Sequence, residues 1–122
     1  MTKGRVVRVN VQMMCLALVA LCSASVGCGE EGGPTGATCP TDSTLTYTNF
    51  GQTLLSNVCL ECHNGRRKPN LSTQAAVQAN IAAIDRMAAA GPNAVNTAMP
   101  DDGPISNSDR RKLGEWLACG AP

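Results

Sequence analysis

The sequence predicts an all-α domain on the basis of three observations. Apolar side chains recur at the three- and four-residue spacing of a helix in three segments, which begin near residues 50, 72 and 106. Alternation of apolar and polar residues, the pattern of a half-buried strand, extends no further than residues 45–48. Glycines and prolines separate the helical segments. We therefore expect a small bundle of three main helices joined by irregular loops.

The first helix is predicted over residues 50–62. Three apolar residues mark its buried face: Leu54, Leu55 and Val58. A loop should follow over residues 64–70, because Gly65 and Pro69 both interrupt helical structure.

The second helix is predicted to begin after Ser72, its expected N-cap, and to run to about Ala90. Four apolar residues form its stripe: Val77, Ile81, Ile84 and Ala88. Gly91 and Pro92 should end it, and residues 92–104, with three prolines and no periodicity, should form an extended loop.

The third helix is predicted to begin after a capping box in which Ser106 pairs with Asp109. It should run to about Ala118, with Gly120 as its stop. Three residues lie on its apolar face: Leu113, Trp116 and Leu117.

The N-terminal 27 residues predict an export signal. Lys3, Arg5 and Arg8 form a basic start, and the apolar run over residues 13–22 is followed by small residues. A membrane span needs about 20 apolar residues, so this run is too short to remain in a bilayer. We therefore assign residues 1–27 to a lipoprotein-type signal peptide that is removed on export.

The end of the signal, Ser25-Val26-Gly27-Cys28, resembles the lipobox of bacterial lipoproteins. The resemblance implies that a lipid on Cys28 anchors the protein to a membrane on the periplasmic side; a soluble periplasmic protein is the alternative. Residues 28–38, rich in glycine and glutamate, predict a flexible tether. Residues 39–122 then form the folded domain.

Composition limits both the partners and the core. Ten Lys and Arg oppose nine Asp and Glu, and this near-neutral balance gives no basis for nucleic-acid binding. Only Tyr47, Phe50 and Trp116 are aromatic, which is few for a self-sufficient core. A domain of this size usually needs a cofactor, a metal or disulfides to remain folded.

The segment Cys59-Leu60-Glu61-Cys62-His63 places two thiols and the only histidine within five positions. In an exported chain, Cys-x-x-Cys-His predicts first a c-type haem site, in which the thiols add to the porphyrin and the adjacent imidazole binds the iron. Three alternatives stay open: a zinc site, a thioredoxin-like dithiol, and a chance pattern in a disulfide-rich domain. A structural zinc site would need a second pair of ligands at a similar spacing, which the sequence lacks. A thioredoxin-like dithiol would need a neighbouring βαβ pattern, which the sequence also lacks.

Counting cysteines assigns the remaining thiols. Two of the seven leave with the signal, and Cys28 is assigned to the lipid. If the two thiols of the motif act together, Cys39 and Cys119 remain for a disulfide that ties the ends of the domain. The rival pairing, a disulfide within the motif, leaves His63 without a role.

With these residues placed, the sequence over residues 48–121 resembles class I cytochromes c. In that family a glycine lies eight positions before the first haem cysteine, as Gly51 does here, and Leu55 stands where the family has an aromatic residue. Three residues match the C-terminal helix of the family: Leu113, Trp116 and Leu117. The resemblance implies a cytochrome c-like bundle around one covalently bound haem.

The resemblance also implies that six residues bind this single haem c: Cys59, Cys62, His63, Pro69, Leu71 and Met99. The two cysteines attach it, and the Pro69 carbonyl accepts a hydrogen bond from His63 Nδ1. Leu71 packs on the haem, and Met99, followed by Pro100, is the iron ligand opposite His63. Met87 lies beside the apolar stripe of the second helix, where we expect it to pack.

An iron held by both His63 and Met99 has no open position for a substrate, so we expect a membrane-tethered one-electron carrier and no enzyme. Its partners would be redox proteins that bind transiently, with neither nucleic acid nor a small-molecule substrate among them. Two alternatives remain. One is a haem sensor or peroxidase-like protein with an open sixth position, and the other is a disulfide-stapled interaction module without haem.

We expect replacement of Cys28 by serine to release the mature protein from the membrane, because the lipid attaches only to the thiol. In detergent phase separation the wild-type protein should enter the detergent phase, and the Cys28→Ser variant the aqueous phase. Cys22→Ser is the matched control, since this cysteine leaves with the signal. A wild-type protein that is soluble and begins at another residue would show that the lipobox is not used.

Overall fold

The structure is a computed structural model that describes residues 32–122. Four helices follow one another in that range. Helix α1 consists of three consecutive stretches, Tyr47–Gly51, Gln52–Leu54 and Leu55–Cys59, of which the first and third have π-helical hydrogen bonding. The others are α2 (Gln74–Gln78), α3 (Ile81–Ala88) and α4 (Asn107–Ala118). No strand occurs between residues 32 and 122, so the predicted all-α class is confirmed.

Helix α1 begins three residues earlier than predicted and ends at Cys59 instead of continuing to Cys62. Its start is fixed by a reciprocal cap: the Thr46 hydroxyl accepts a hydrogen bond from the Asn49 amide (3.1 Å), and the Thr46 amide donates to the Asn49 side chain (2.8 Å). Asn49 takes the place of the usual Glu or Gln in this capping box, so the sequence pattern did not predict the cap. After Cys59 the chain continues as turns.

The predicted second helix is instead two helices, α2 and α3, separated at Asn80. The Asn80 side chain donates to the Ala76 carbonyl (2.8 Å) while its amide donates to Val77, so the side chain replaces the backbone as donor to Ala76. The N-cap of α2 is Thr73, not Ser72, because the Thr73 hydroxyl accepts the Ala76 amide at 3.1 Å.

Helix α4 is confirmed at both ends. The Ser106 hydroxyl accepts a hydrogen bond from the Asp109 amide (3.0 Å) and donates to the Asp109 carboxylate (2.8 Å). The helix ends at Ala118, and Gly120 follows with a φ of 85°, a left-handed conformation that favours glycine.

The core is organised around Trp116, whose side chain is fully buried. Helix α1 crosses α4 at Gly51, where any β-carbon would overlap the indole ring. Tyr47 and Phe50 approach the same ring with centroid distances of 6.4 and 5.9 Å. A glycine at this crossing therefore allows the two helices to pack with the indole between them.

The disulfide Cys39–Cys119 is present, as predicted, and joins α-carbons 4.7 Å apart across 80 residues of sequence. Cys59 and Cys62 are free thiols. The rival disulfide within the motif is therefore not formed.

The predicted tether over residues 28–38 needs correction, because residues 32–38 pack against the helices. Thr35 is only 1% exposed, and its amide and hydroxyl both donate to the Asp85 carboxylate, at 2.9 and 2.5 Å. Glycines at positions 91 and 114 leave room for this segment. The folded domain thus includes residues before Cys39.

The predicted signal peptide, Cys28 and residues 28–31 of the predicted tether lie outside the described residues. Within residues 32–122, no helix has the length and apolar composition needed to cross a membrane.

We expect Gly51→Ala to lower the free energy of unfolding by about 1–3 kcal/mol, the usual cost of overpacking a core. Alanine gains up to about 1 kcal/mol of helix propensity. The clash outweighs this gain because the buried indole cannot move aside. Urea unfolding of the purified protein measures the difference.

Gly103→Ala is the control, since a β-carbon there meets no atom within 4 Å. Its free energy of unfolding should stay within about 0.5 kcal/mol of the wild type. Equal stability of both variants would contradict the close crossing of α1 and α4.

Candidate functional site

An open cleft lies between the end of α1, helix α3 and the loop that precedes α4. It contains about 940 Å³ of empty space when the part open to solvent is counted. Its walls are mainly apolar and include six aliphatic residues: Leu55, Val58, Leu71, Ile84, Ile105 and Leu113. All six residues predicted to bind a cofactor line this cleft.

One wall carries the Cys-x-x-Cys-His motif on the turn that follows α1. The amides of Cys62 and His63 both donate to the Cys59 carbonyl, at 3.3 and 2.9 Å. These bonds hold the two thiols and the imidazole on one turn, where each side chain is half-buried and borders the cleft.

The imidazole of His63 is oriented by the loop after it. His63 Nδ1 lies 2.8 Å from the Pro69 carbonyl oxygen, and since that oxygen can only accept, Nδ1 carries the proton. Nε2 is then the nitrogen with a free lone pair. The loop is closed by a bond from the Leu71 amide to the His63 carbonyl (2.7 Å), and Leu71 is buried beside the cleft. The hydrogen bond expected from the resemblance is thus present, although Pro69 lies only six positions after His63.

The wall formed by α3 and the loop before α4 includes Met99. Its amide donates to the Met87 carbonyl (2.8 Å), and its carbonyl accepts from Arg110 Nη1 (2.7 Å), so its backbone is held on both sides. Met87 also lines the cleft instead of packing only in the core. Two thioethers are therefore available on this wall.

The electrostatics of the motif argue against a redox dithiol. Burial raises the pKa of the Cys59 thiol to about 11. Reactive cysteines of Cys-x-x-Cys oxidoreductases have a lowered pKa, because the thiolate is the nucleophile. The pKa of the half-buried Cys59 thiol is raised instead, so this thiol stays protonated at neutral pH.

Zinc is not supported either. Among residues 32–122, no group of three or more His, Cys, Asp or Glu side chains is arranged to hold a metal ion. A structural zinc site requires four such ligands.

The mouth of the cleft carries charges of both signs. Arg67, from the loop after the motif, and Asp101, which follows Met99 and Pro100, form an ion pair of 3.3 Å. Both side chains are more than half exposed, so the pair joins the two walls weakly.

Sequence reasoning missed Arg110, which is buried on α4 and bound to the loop that carries Met99. Its spacing could have revealed it. Arg110 precedes Leu113 by three positions and Leu117 by seven, so it lies on the apolar face of the helix. A charged residue on such a face indicates a buried polar contact.

The residues of the cleft fit the haem that the motif predicts. Two free thiols and an imidazole with a fixed tautomer border this cleft, and Met99 lines the same cleft. Apolar side chains form the intervening surface and would exclude water from a flat hydrophobic ring.

Residues 48–117 match the family model described as cytochrome c oxidase, cbb3-type, subunit III. This segment contains α1 except for its first residue, the motif, Met87 and Met99, and α4 except for its last residue. No curated protein and no solved structure shows significant similarity to the chain.

Proposed function

Because the chain belongs to the family described as cytochrome c oxidase, cbb3-type, subunit III, whose members are class I c-type cytochrome domains, we propose that it is a membrane-tethered carrier of single electrons on the periplasmic side. Haem-based electron transfer is the activity that the family indicates, and a covalently bound haem c is its cofactor. We propose further that Cys59 and Cys62 would attach one haem and that His63 and Met99 would bind its iron.

One observation supports this proposal above the others: the oriented imidazole of His63 and Met99 line the same cleft. When bound, haem supplies an iron that changes between the ferrous and ferric states. The residues of this chain hold that group and surround it.

The motif residues fix the cofactor in position. The thiols of Cys59 and Cys62 are half-buried and unpaired, so each is available for a thioether bond at the edge of the cleft. The Pro69 carbonyl keeps the proton of His63 on Nδ1, which would leave Nε2 free to bind the metal. Leu71 contributes to the apolar wall on this side.

Met99 would complete the coordination. Its backbone is held by Met87 and Arg110, and Pro100 restricts the chain directly after it. Sulfur ligation favours the reduced state and raises the potential. If His63 and Met99 both held the iron, no coordination position would be left for a substrate, and we therefore propose a carrier instead of an enzyme.

Export and anchoring complete the proposal. They are supported by the basic and apolar pattern of residues 1–27 and by the lipobox-like sequence that ends at Cys28. The Cys39–Cys119 disulfide is consistent with an oxidising compartment. Partners would be redox proteins that bind briefly over a small surface.

We expect the haem to stay on the protein after unfolding, because two thioether bonds hold it. Acid–acetone treatment should leave the pigment with the polypeptide, whereas a haem held only by ligation would enter the solvent. Cys59→Ser and Cys62→Ser should each leave one bond, and His63→Ala should abolish accumulation of holoprotein. A pigment that is extracted from the wild type would contradict covalent attachment.

We expect Met99→Ala to abolish the weak near-infrared charge-transfer band of ferric iron bound to methionine sulfur. The ferrous form of this variant should bind carbon monoxide, because the sixth position is then open. Absorption spectra of the purified holoproteins measure both properties.

Met87→Leu is the matched control, since Met87 provides the second thioether of the cleft. It should retain the band and resist carbon monoxide. If Met99→Ala keeps the band and Met87→Leu loses it, the ligand is Met87. A wild-type protein that binds carbon monoxide and lacks the band would favour the sensor or peroxidase-like alternative.

A further inference from the structure

Arg110 is a buried cation on α4 whose role is not explained by the proposed function. Its side chain is 5% exposed. Nη1 lies 2.7 Å from each of three backbone carbonyl oxygens, those of Ala88, Asn96 and Met99. These three residues belong to the end of α3 and to the loop that follows it.

No carboxylate neutralises this guanidinium within the part of the chain that the structure describes. The salt bridge found there joins Arg67 to Asp101, and the neighbouring Asp109 is bound to the Ser106 hydroxyl. Burial lowers the pKa of Arg110, but an arginine side chain remains charged in proteins. A buried charge without a counter-ion is costly, and the three carbonyl oxygens offset part of that cost by sharing the two hydrogens of Nη1.

The three carbonyls are placed so that they fix the loop that carries Met99. The Asn96 amide donates to Ala89 (2.9 Å), and the Met99 amide donates to Met87 (2.8 Å), which ties the loop to α3 at two points. The Ala90 amide donates to the Arg110 carbonyl (2.9 Å), which ties the end of α3 to α4. The guanidinium of Arg110 then joins the Met99 carbonyl to α4.

We propose that Arg110 is the positioning residue for the Met99 thioether: its guanidinium holds the Met99 carbonyl to α4 and so keeps the sulfur against the cleft. This inference rests on the proposed function, in which Met99 binds the iron. Without the guanidinium, the three carbonyls would lose their donor and would need to be hydrated by water instead. The loop would then move outward, and the Met99 sulfur would no longer be held where it can bind the iron.

The test compares Arg110→Gln and Arg110→Lys with the matched controls Arg111→Gln and Arg111→Lys. Arg111 is the next residue on α4 and is exposed, so the paired variants change charge equally. The purified holoproteins are followed by the near-infrared band, by carbon monoxide binding, and by urea titration in which band and helical circular dichroism are recorded together.

We expect Arg110→Gln to lose the band and to bind carbon monoxide, as is expected for Met99→Ala. Arg110→Lys keeps a charge and three donors, but its ammonium lies one bond closer to the backbone than Nη1 does, so it cannot reach the three carbonyls equally well. It should show the band in buffer and lose it at a lower urea concentration than the helical signal. Its sulfur-bound fraction relative to the unbound should fall roughly tenfold, as expected for loss of one charge-assisted hydrogen bond. In the wild type and both Arg111 variants, the two signals should disappear together.

A merely structural role for Arg110 would lower both urea midpoints equally, and that result would overturn the proposal. So would a full band and resistance to carbon monoxide in Arg110→Gln. If Arg110→Gln yields no holoprotein, the separation of the two midpoints in Arg110→Lys decides alone. Absence of the band from the wild type would overturn the ligation by Met99 itself. A band that is lost in Met99→Ala but unaffected in the Arg110 variants overturns only this inference.

Discussion

Trp116 can occupy the centre of the molecule because Gly51 has no side chain, and this close crossing of α1 and α4 determines where the two walls of the cleft lie. Helix α1 ends at Cys59, so the crossing fixes the start of the motif relative to α4. The same helix also positions the loop that carries Met99, because Arg110 of α4 binds the Met99 carbonyl. Helix α4 is thus the common support of both proposed iron ligands, although it provides neither.

The cleft explains how a chain with three aromatic residues forms a stable domain. Its aliphatic walls include Leu55, Leu71 and Leu113, which face a space that would otherwise be filled with water. A flat apolar cofactor would bury these walls and act as a large core residue. The disulfide and the packed segment over residues 32–38 close the other side of the bundle. Folding and cofactor attachment are then closely coupled.

Local chemistry was predictable from the sequence, whereas contacts between distant side chains and backbone were not. The cap at Ser106 and the motif on the turn after α1 depend on residues within a few positions of each other, so their patterns are visible in the sequence. The burial of Thr35 and the three carbonyl contacts of Arg110 depend on groups far apart in the sequence, which periodicity does not describe. The pairing of Cys39 with Cys119 was an exception, because counting thiols replaced geometric information.

The packed N-terminal segment has a consequence for the distance over which this protein can act. The Gly32 amide is bound to the Arg86 carbonyl at 3.1 Å, so the packed part of the chain includes a residue that lies only four positions after Cys28. Four residues reach at most roughly 14 Å when fully extended. A lipid on Cys28 would therefore keep the domain against the bilayer surface and confine its search for partners to two dimensions. Electron donors and acceptors would need to present their redox centres at that same height.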